Sequence, residues 1–209
     1  QLKMSPEEHL AHIKQTIDYA LSKNFTVNLY LEDWSSGMRD SRDYLFMMMD
    51  ELVKLPIKRF LLPDTLGILN PLQCVEYMRQ MVRRYPNSHF DFHAHNDYDL
   101  AVSNSLAAVL SGAKGLHVTV NGLGERCGNA PLASVQVILK DMFGAKTNIK
   151  EDRLNDISRL VEGYSGIAVA PNTPVVGDNV FTQVAGVHAD GDNKDKLYCN
   201  DLVPERFGR

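Results

Sequence analysis

The fold class is indicated by the stretch HFDFHAHND, residues 89–97, together with the segments on either side of it. Residues 89–93 are predicted to form a β-strand that ends in polar side chains. An N-cap signal at Asn70 opens a helix to about Tyr85 before this strand, and residues 99–111 have helical spacing after it. A strand flanked by helices is the repeating unit of an α/β protein with a parallel sheet.

The same alternation continues outward in both directions. Further strands are predicted at residues 25–31, 59–62 and 115–120, and further helices at residues 5–22, 41–54 and 131–143. Strand number alone leaves a small doubly wound sheet and part of a barrel as alternatives. After residue 143 we predict an amphipathic helix at 148–163, then an irregular segment, 168–209, in which GVHADGD (186–192) is a possible loop site.

Composition excludes several classes of protein. With 44% hydrophobic and 23% charged residues and a net charge of -4, the chain has the composition of a soluble globular protein without nucleic-acid or membrane partners. It contains neither an apolar stretch of about 18 residues nor a secretory leader pattern. Cys74, Cys127 and Cys199 are widely spaced and odd in number, so we expect free thiols and a cytoplasmic location.

Polar residues at the predicted strand ends indicate where a site would form, because function collects at that edge of a parallel sheet. They are Glu32 and Asp33, Asp64 and Thr65, His93 and His95, and Asn121. The two histidines are two positions apart on a strand, so both imidazoles face the same side, as two metal ligands require.

The segment NGLGERCGN, residues 121–129, lies between a predicted strand and a predicted helix. It is compatible with a loop that binds phosphate through backbone N–H groups, although it matches neither the Rossmann nor the Walker spacing. The alternative is a tight turn that brings Glu125 and Asn129 over the site. Spacing alone leaves both open.

Taken together, these segments resemble the second signature of the DRE-TIM metallolyase superfamily, which includes 2-isopropylmalate, homocitrate and citramalate synthases and HMG-CoA lyase. The resemblance is carried by FHAHND (92–97), AVSNSL (101–106) and NGLGERCGN (121–129). GVHADG (186–191) is similar to the condensing enzymes, and LEDWSSG (31–37) and PERFGR (204–209) look most like the citramalate synthase branch.

The resemblance implies a fold and a set of site residues. The fold is the C-terminal half, strands 5–8, of a TIM (β/α)8 barrel over residues 1–145, followed by a post-barrel helix and linker subdomain over residues 146–209. The implied roles are metal binding for His93, His95 and Asn129, catalysis for Glu32, His188 and Tyr198, and substrate binding for Thr65 and Asp190. The implied cofactor is a divalent ion (zinc, manganese or magnesium), with acetyl-CoA as co-substrate and a homodimer as the assembly.

The predicted activity is an acyltransferase that joins acetyl-CoA to pyruvate or 2-oxoisovalerate, in isoleucine or leucine biosynthesis. Because the family's first signature, an Arg-Asp-Gly run, is absent, we expect a fragment that is inactive alone. The alternatives are a carbon–carbon lyase of the same superfamily and a non-catalytic half-barrel. A structural zinc site at His93 and His95 is disfavoured, since no Cys or His pair nearby completes a closed set.

Overall fold

The predicted strands form one parallel sheet with the order β1-β2-β3-β4. The strands are β1 (Val27–Tyr30), β2 (Ile57–Asp64), β3 (Phe90–Ala94) and β4 (Gly115–His117). Each strand pairs with its successor in the chain. A doubly wound sheet reverses its strand order, whereas a barrel adds strands in sequence, so the observed order is that of consecutive barrel strands.

The structure, a computed structural model, describes residues 3–195, 197–198 and 200–209. The chain divides into two compact units, one formed by residues 1–117 with 124–130 and the other by residues 118–123 with 131–209. The predicted domain boundary at residue 145 stays a prediction.

The helices of the first unit are α1 (Pro6–Ser22), α2 (Trp34–Asp40), α3 (Arg42–Leu52), α4 (Pro71–Arg84) and α5 (Ala101–Leu110). α1 and α4 begin as predicted, each with a capping box and proline at the start. α2 was not predicted, because a helix of 7 residues is too short for a clear apolar period.

Two strand predictions needed correction in length. β2 continues beyond residue 62, since Pro63 pairs with His93 and Asp64 with Ala94. β4 ends at His117 rather than residue 120, because the chain turns into a 3₁₀ segment, Val120–Gly122.

The core of the first unit lies between the sheet and its helices. Trp34 is 1% exposed and packs edge-on against Tyr77 of α4 and Phe92 of β3. The other large hydrophobic side chains that are almost fully buried in this unit are Met38, Met49, Leu52, Leu62, Leu69, Met78, Met81 and Phe90. The sheet edge described below is therefore supported by a packed layer on its outer side.

The second unit contains α6 (Leu132–Phe143), α7 (Leu154–Ser165) and α8 (Gly186–Asp195), with 3₁₀ segments at Val120–Gly122, Glu151–Arg153 and Pro204–Phe207. Its core consists of Ala133, Val137, Leu154, Val175, Val176 and Phe207. The helix predicted at 148–163 begins later, and the prediction that residues 186–192 form a loop was wrong. They begin α8, whose glycines, aspartates and asparagine are poor helix formers and leave no apolar stripe to detect.

Two further expectations bear on the class of protein. Within the described ranges, none of the helices is both long enough and apolar enough to cross a membrane. Cys74 is buried and Cys127 is exposed, and both thiols are free. The prediction for Cys199 falls outside the described residues.

Candidate functional site

The carboxyl ends of the strands of the first unit bring together five of the predicted site residues. Glu32 follows β1, Thr65 follows β2, His93 and His95 lie at the end of β3, and Asn129 lies in the segment 124–130 that belongs to this unit. The expectation that polar strand ends meet at one edge is thus met for these residues.

Glu32 and Thr65 are joined directly. The Thr65 hydroxyl donates to Glu32 Oε1 over 2.7 Å and accepts the backbone N–H of Asp33 over 3.0 Å. Asp33 has a left-handed backbone, with φ 56°, which begins the turn into α2. One oxygen of the exposed Glu32 carboxylate is therefore attached to the Thr65 hydroxyl at this edge of the sheet.

His93 and His95 lie side by side, with their ring centroids 5.0 Å apart and the rings at 75°. Nδ1 of each ring is buried and has no hydrogen-bond partner among the residues that the structure describes. Burial, with the neighbouring His95 and His117, lowers the pKa of His93 to about 4. His93 is thus neutral at physiological pH, which is the form that binds a metal ion.

Asn129 reaches this pair because the glycine-rich segment folds back on β3. Gly128 N–H donates to the Glu125 carbonyl, and Asn129 forms an isolated antiparallel bridge with His95. A Cβ at Gly124 would lie 2.1 Å from Asn129 Nδ2, so a larger residue there would displace the Asn129 side chain. The tight-turn interpretation is confirmed for Asn129, whereas the Glu125 side chain is 83% exposed.

Two of the polar strand-end residues are structural instead. Asp64 is fully buried and accepts the N–H groups of Ile68 and Leu69, which hold the turn after β2. Burial raises its pKa, and these two N–H groups oppose that shift. Asn121 belongs to the second unit, where its side chain exchanges two hydrogen bonds with Ser158 of α7.

Sequence reasoning missed a second polar cluster on the same face of the sheet. Tyr30 OH lies 2.8 Å from His117 Nδ1, and both rings are within about 6 Å of the His93 ring. His117 Nε2 lies 3.6 Å from the buried carboxylate of Asp91. The two-residue period of a strand was a usable signal, because Tyr30 precedes Glu32 by two positions and Asp91 precedes His93 by two.

The described donors fit a divalent cation in type but form an incomplete set. Imidazole nitrogens and an amide oxygen are suitable ligands for zinc or manganese. Yet within residues 3–195, 197–198 and 200–209 no three His, Cys, Asp or Glu side chains are grouped so that they could hold a metal ion. An ion bound by His93, His95 and Asn129 would need further oxygen donors.

The remaining predicted residues lie in the second unit. The His188 ring stacks on Tyr198 with centroids 4.4 Å apart, and a Cβ at Gly191 would clash with the Tyr198 ring. Asp190 instead pairs with Lys194 on the surface of α8, 2.6 Å away. The structure therefore brings His188 and Tyr198 together, and it leaves Asp190 engaged in an exposed ion pair.

Comparisons with known proteins agree with the predicted resemblance. Residues 1–161 match the model of the HMGL-like family. The chain is 37% identical to a putative (R)-citramalate synthase of Methanopyrus kandleri, covering 100% of this chain and 40% of that protein. It is 42% identical to a homocitrate synthase of Saccharolobus islandicus, covering 99% of this chain and 44% of that protein. The chain thus spans less than half the length of these curated relatives.

Solved structures of similar fold include two HMG-CoA lyases. The Bacillus subtilis enzyme superposes with a TM-score of 0.70 at 24% identity, over 81% of this chain and 59% of that one. The Acinetobacter baumannii enzyme, solved with coenzyme A and 3-methylmalate, superposes with a TM-score of 0.68 at 22% identity, over 88% of this chain and 63% of that one. At these identities the likeness establishes the fold alone.

Proposed function

The chain belongs to the HMGL-like family, and on that premise we propose that it contributes part of the active site of an acyltransferase that condenses acetyl-CoA with a 2-keto acid. The observation that carries the proposal is the pairing of His93 and His95 beside Asn129, at the same sheet edge as the Thr65–Glu32 hydrogen bond. A metal-ligand pair next to an oriented carboxylate is what a condensation through an enol-type nucleophile requires.

Each residue has a role in this proposal. His93, His95 and Asn129 would hold the divalent ion (zinc, manganese or magnesium), which supplies Lewis-acid polarisation of a keto oxygen when bound. Glu32, which is hydrogen-bonded to Thr65, takes part in removing a proton from the thioester methyl group. General base catalysis of this kind contributes about 10²–10⁴-fold to the rate. His188, stacked on Tyr198, is the second acid/base candidate, and Asp190 is proposed to contact substrate.

The keto acid is proposed to be pyruvate or 2-oxoisovalerate, so that the product is citramalate or isopropylmalate, on the way to isoleucine or leucine. The likeness to a citramalate synthase supports the first choice, and the likeness to a homocitrate synthase makes 2-oxoglutarate a necessary comparison. A hydrophobic pocket separates substrates that differ by a methylene group by only about 1–3 kcal/mol, so the substrate must be measured. A cytoplasmic homodimer is proposed as its setting.

The test is an assay of free CoA released from acetyl-CoA by the protein that the whole gene encodes. Pyruvate, 2-oxoisovalerate and 2-oxoglutarate are compared, each with and without EDTA. We expect EDTA-sensitive release with one of the three, a fall of about 10²-fold or more for Glu32→Gln, and no change for Glu76→Gln on the exposed side of α4. Absence of release with all three keto acids would contradict the proposal, and cleavage of a 3-hydroxyacyl-CoA would assign a lyase instead.

A further inference from the structure

We propose that Arg126 is a positioning residue that fixes the Glu32–Thr65 pair and the His93–His95–Asn129 cluster relative to each other. It lies in the glycine-rich segment after β4, within the part of that segment that belongs to the first unit. The inference deepens the proposed function and rests on it for the assignment of the site residues. Its test measures local stability and metal binding, and is therefore independent of turnover.

One guanidinium group joins the segments that follow three of the strands. Nε and Nη2 of Arg126 donate to Asp97 Oδ1 and Oδ2, over 2.7 and 2.9 Å. Nη2 also donates to the backbone carbonyl of Thr65, over 2.8 Å. Asp97 follows β3 and Thr65 follows β2, so the side chain spans both strand ends from a loop that follows β4.

The contact with Thr65 extends to the carboxylate. Arg126 holds the carbonyl of Thr65, while the hydroxyl of the same residue donates to Glu32 and accepts the N–H of Asp33. A continuous set of hydrogen bonds therefore runs from Asp97 through Arg126 and Thr65 to Glu32. Displacement of the guanidinium would release the carbonyl side of Thr65 and, with it, the orientation of Glu32.

On the other side, Arg126 lies three positions before Asn129 in a loop that is tied down beyond it. Asn96 N–H donates to the Gly128 carbonyl over 2.9 Å, and Ala130 N–H donates to the Ala94 carbonyl over 3.2 Å. With Arg126 attached to Asp97, the short segment that carries Asn129 is held at both ends. This fixes Asn129 beside His95.

The backbone at Arg126 supports a required role for its side chain. Its φ is 52°, in the left-handed region, which costs free energy for any residue except glycine. A glycine at position 126 would relieve this backbone strain, and the loop already contains several glycines. It would, however, remove the guanidinium group and its hydrogen bonds. Bidentate, charge-assisted hydrogen bonds are among the stronger polar contacts in proteins and can offset such strain.

The site also makes room for the partner of Arg126. Gly67 has φ 60°, and a Cβ there would lie 2.8 Å from Asp97 Oδ2. Asp97 is 20% exposed, and its pKa is lowered chiefly by its hydrogen bonds with Arg126. An isolated surface ion pair would have neither the third acceptor at Thr65 nor a glycine that accommodates it.

The experiment compares Arg126→Gln and Arg126→Lys with Arg153→Gln in the 209-residue chain. Arg153 is a matched control, because its guanidinium pairs with Asp152 and Asp156 on an exposed surface. Amide hydrogen exchange at Asn96, Gly128 and Ala130 is followed by NMR, and the dissociation constant for Co²⁺ is measured by titration. Far-UV circular dichroism establishes that each variant is folded.

We expect exchange at these amides to become about tenfold faster in Arg126→Gln, since hydrogen bonds to charged groups are lost. The Co²⁺ dissociation constant should rise about tenfold, as for other residues that orient metal ligands. Arg126→Lys should resemble the glutamine variant, because an ammonium group cannot bridge Asp97 and Thr65 as a planar fork does. Arg153→Gln should behave as wild type.

Unchanged exchange and unchanged Co²⁺ affinity in both Arg126 variants would overturn the proposal. If Arg126→Gln does not fold, Asp97→Asn removes the charged partner of Arg126 instead. It must then show the same loss of protection from exchange at the same amides. If amide exchange is faster in Arg126→Gln but the assay of the proposed function detects no CoA release, the positioning role is supported. The proposed activity is then wrong.

Discussion

At the scale of single residues, the hydroxyl of Thr65 has two functions, as donor to Glu32 and as acceptor for the N–H of Asp33. We expect Thr65→Val, which preserves the shape, to lower the free energy of unfolding by about 1–2 kcal/mol, because it leaves a backbone donor without its partner. Thr65→Ser keeps the hydroxyl and should lower the free energy of unfolding much less. Urea unfolding of both variants provides the measurement, and equal losses for valine and serine would contradict this role.

Gly124 is a second residue at the site, and its small size leaves room for the Asn129 side chain. In Gly124→Ala the new Cβ would lie 2.1 Å from Asn129 Nδ2, so the side-chain amide of Asn129, whose backbone forms a bridge with His95, must move. We expect weaker Co²⁺ binding in a titration of the 209-residue chain, by about tenfold. Gly163 on α7 is the control, because nothing lies within 4 Å of a Cβ there. Gly163→Ala should bind Co²⁺ as wild type and gain about 0.5–1 kcal/mol of stability from helix propensity.

The individual site residues differ in how far sequence could identify them. His93 and His95 are recognisable because strand periodicity places both on one face. The hydrogen bond between Tyr30 and His117 joins β1 and β4, and that between Arg126 and Thr65 joins loops 61 positions apart in sequence. Strand periodicity can place such side chains on one face, but no local pattern shows which of them meet across the sheet, so sequence predicted candidate ligands and not the contacts around them.

At the scale of elements, predictions succeeded where a local signal exists. The capping boxes of α1 and α4 satisfy backbone N–H groups through side chains three positions away, so the start of each helix is visible in the sequence. α8 has no such signal, and it begins with N–H groups of His188 and Ala189 donating to the Ala185 carbonyl. Its formation depends on contacts in the tertiary structure, such as the His188–Tyr198 stacking.

The 3₁₀ segments Glu151–Arg153 and Pro204–Phe207 of the second unit are joined by an ionic cluster around the buried carboxylate of Glu151. Glu151 is 7% exposed and accepts hydrogen bonds from Arg206, Lys140 and Gln136, while Arg206 also forms a bidentate pair with Asp141. The hydrogen bonds from Arg206, with those from Lys140 and Gln136, lower the pKa of Glu151 to about 2, against the effect of burial. We therefore expect this cluster to stabilise the second unit.

We expect Glu151→Gln to lower the free energy of unfolding by about 1.5–3 kcal/mol at neutral pH, because hydrogen bonds to a charged group are replaced by weaker neutral ones. The folded pKa lies below the unfolded value of about 4.3, so the ionic contribution is full above that value. It is lost as the pH falls towards 2. Urea unfolding at several pH values should show the variant and wild type converging in acid, whereas Glu205→Gln, at an exposed position, should match wild type throughout. A difference that does not change with pH would contradict this account.

At the scale of the whole molecule, the four-stranded sheet has β1 and β4 as its edge strands within the described residues. Leu31 N–H donates to Leu61 of β2, so alternation along β1 directs the N–H groups of Asn28 and Tyr30 away from β2. Unpaired edge groups of this kind are a template for pairing with another chain. We expect the 209-residue chain to self-associate as its concentration is raised.

Asn28→Pro tests whether that association uses the edge of β1, because it removes one outward N–H group and leaves the β1–β2 hydrogen bonds in place. Asn28→Ala is the control, since it changes the side chain and keeps the N–H group. Sedimentation velocity over a wide concentration range should show association for wild type and the alanine variant, and a monomer for the proline variant. If all three associate equally, the contact lies elsewhere; if none associates, the edge is protected in solution, and the open-edge argument fails.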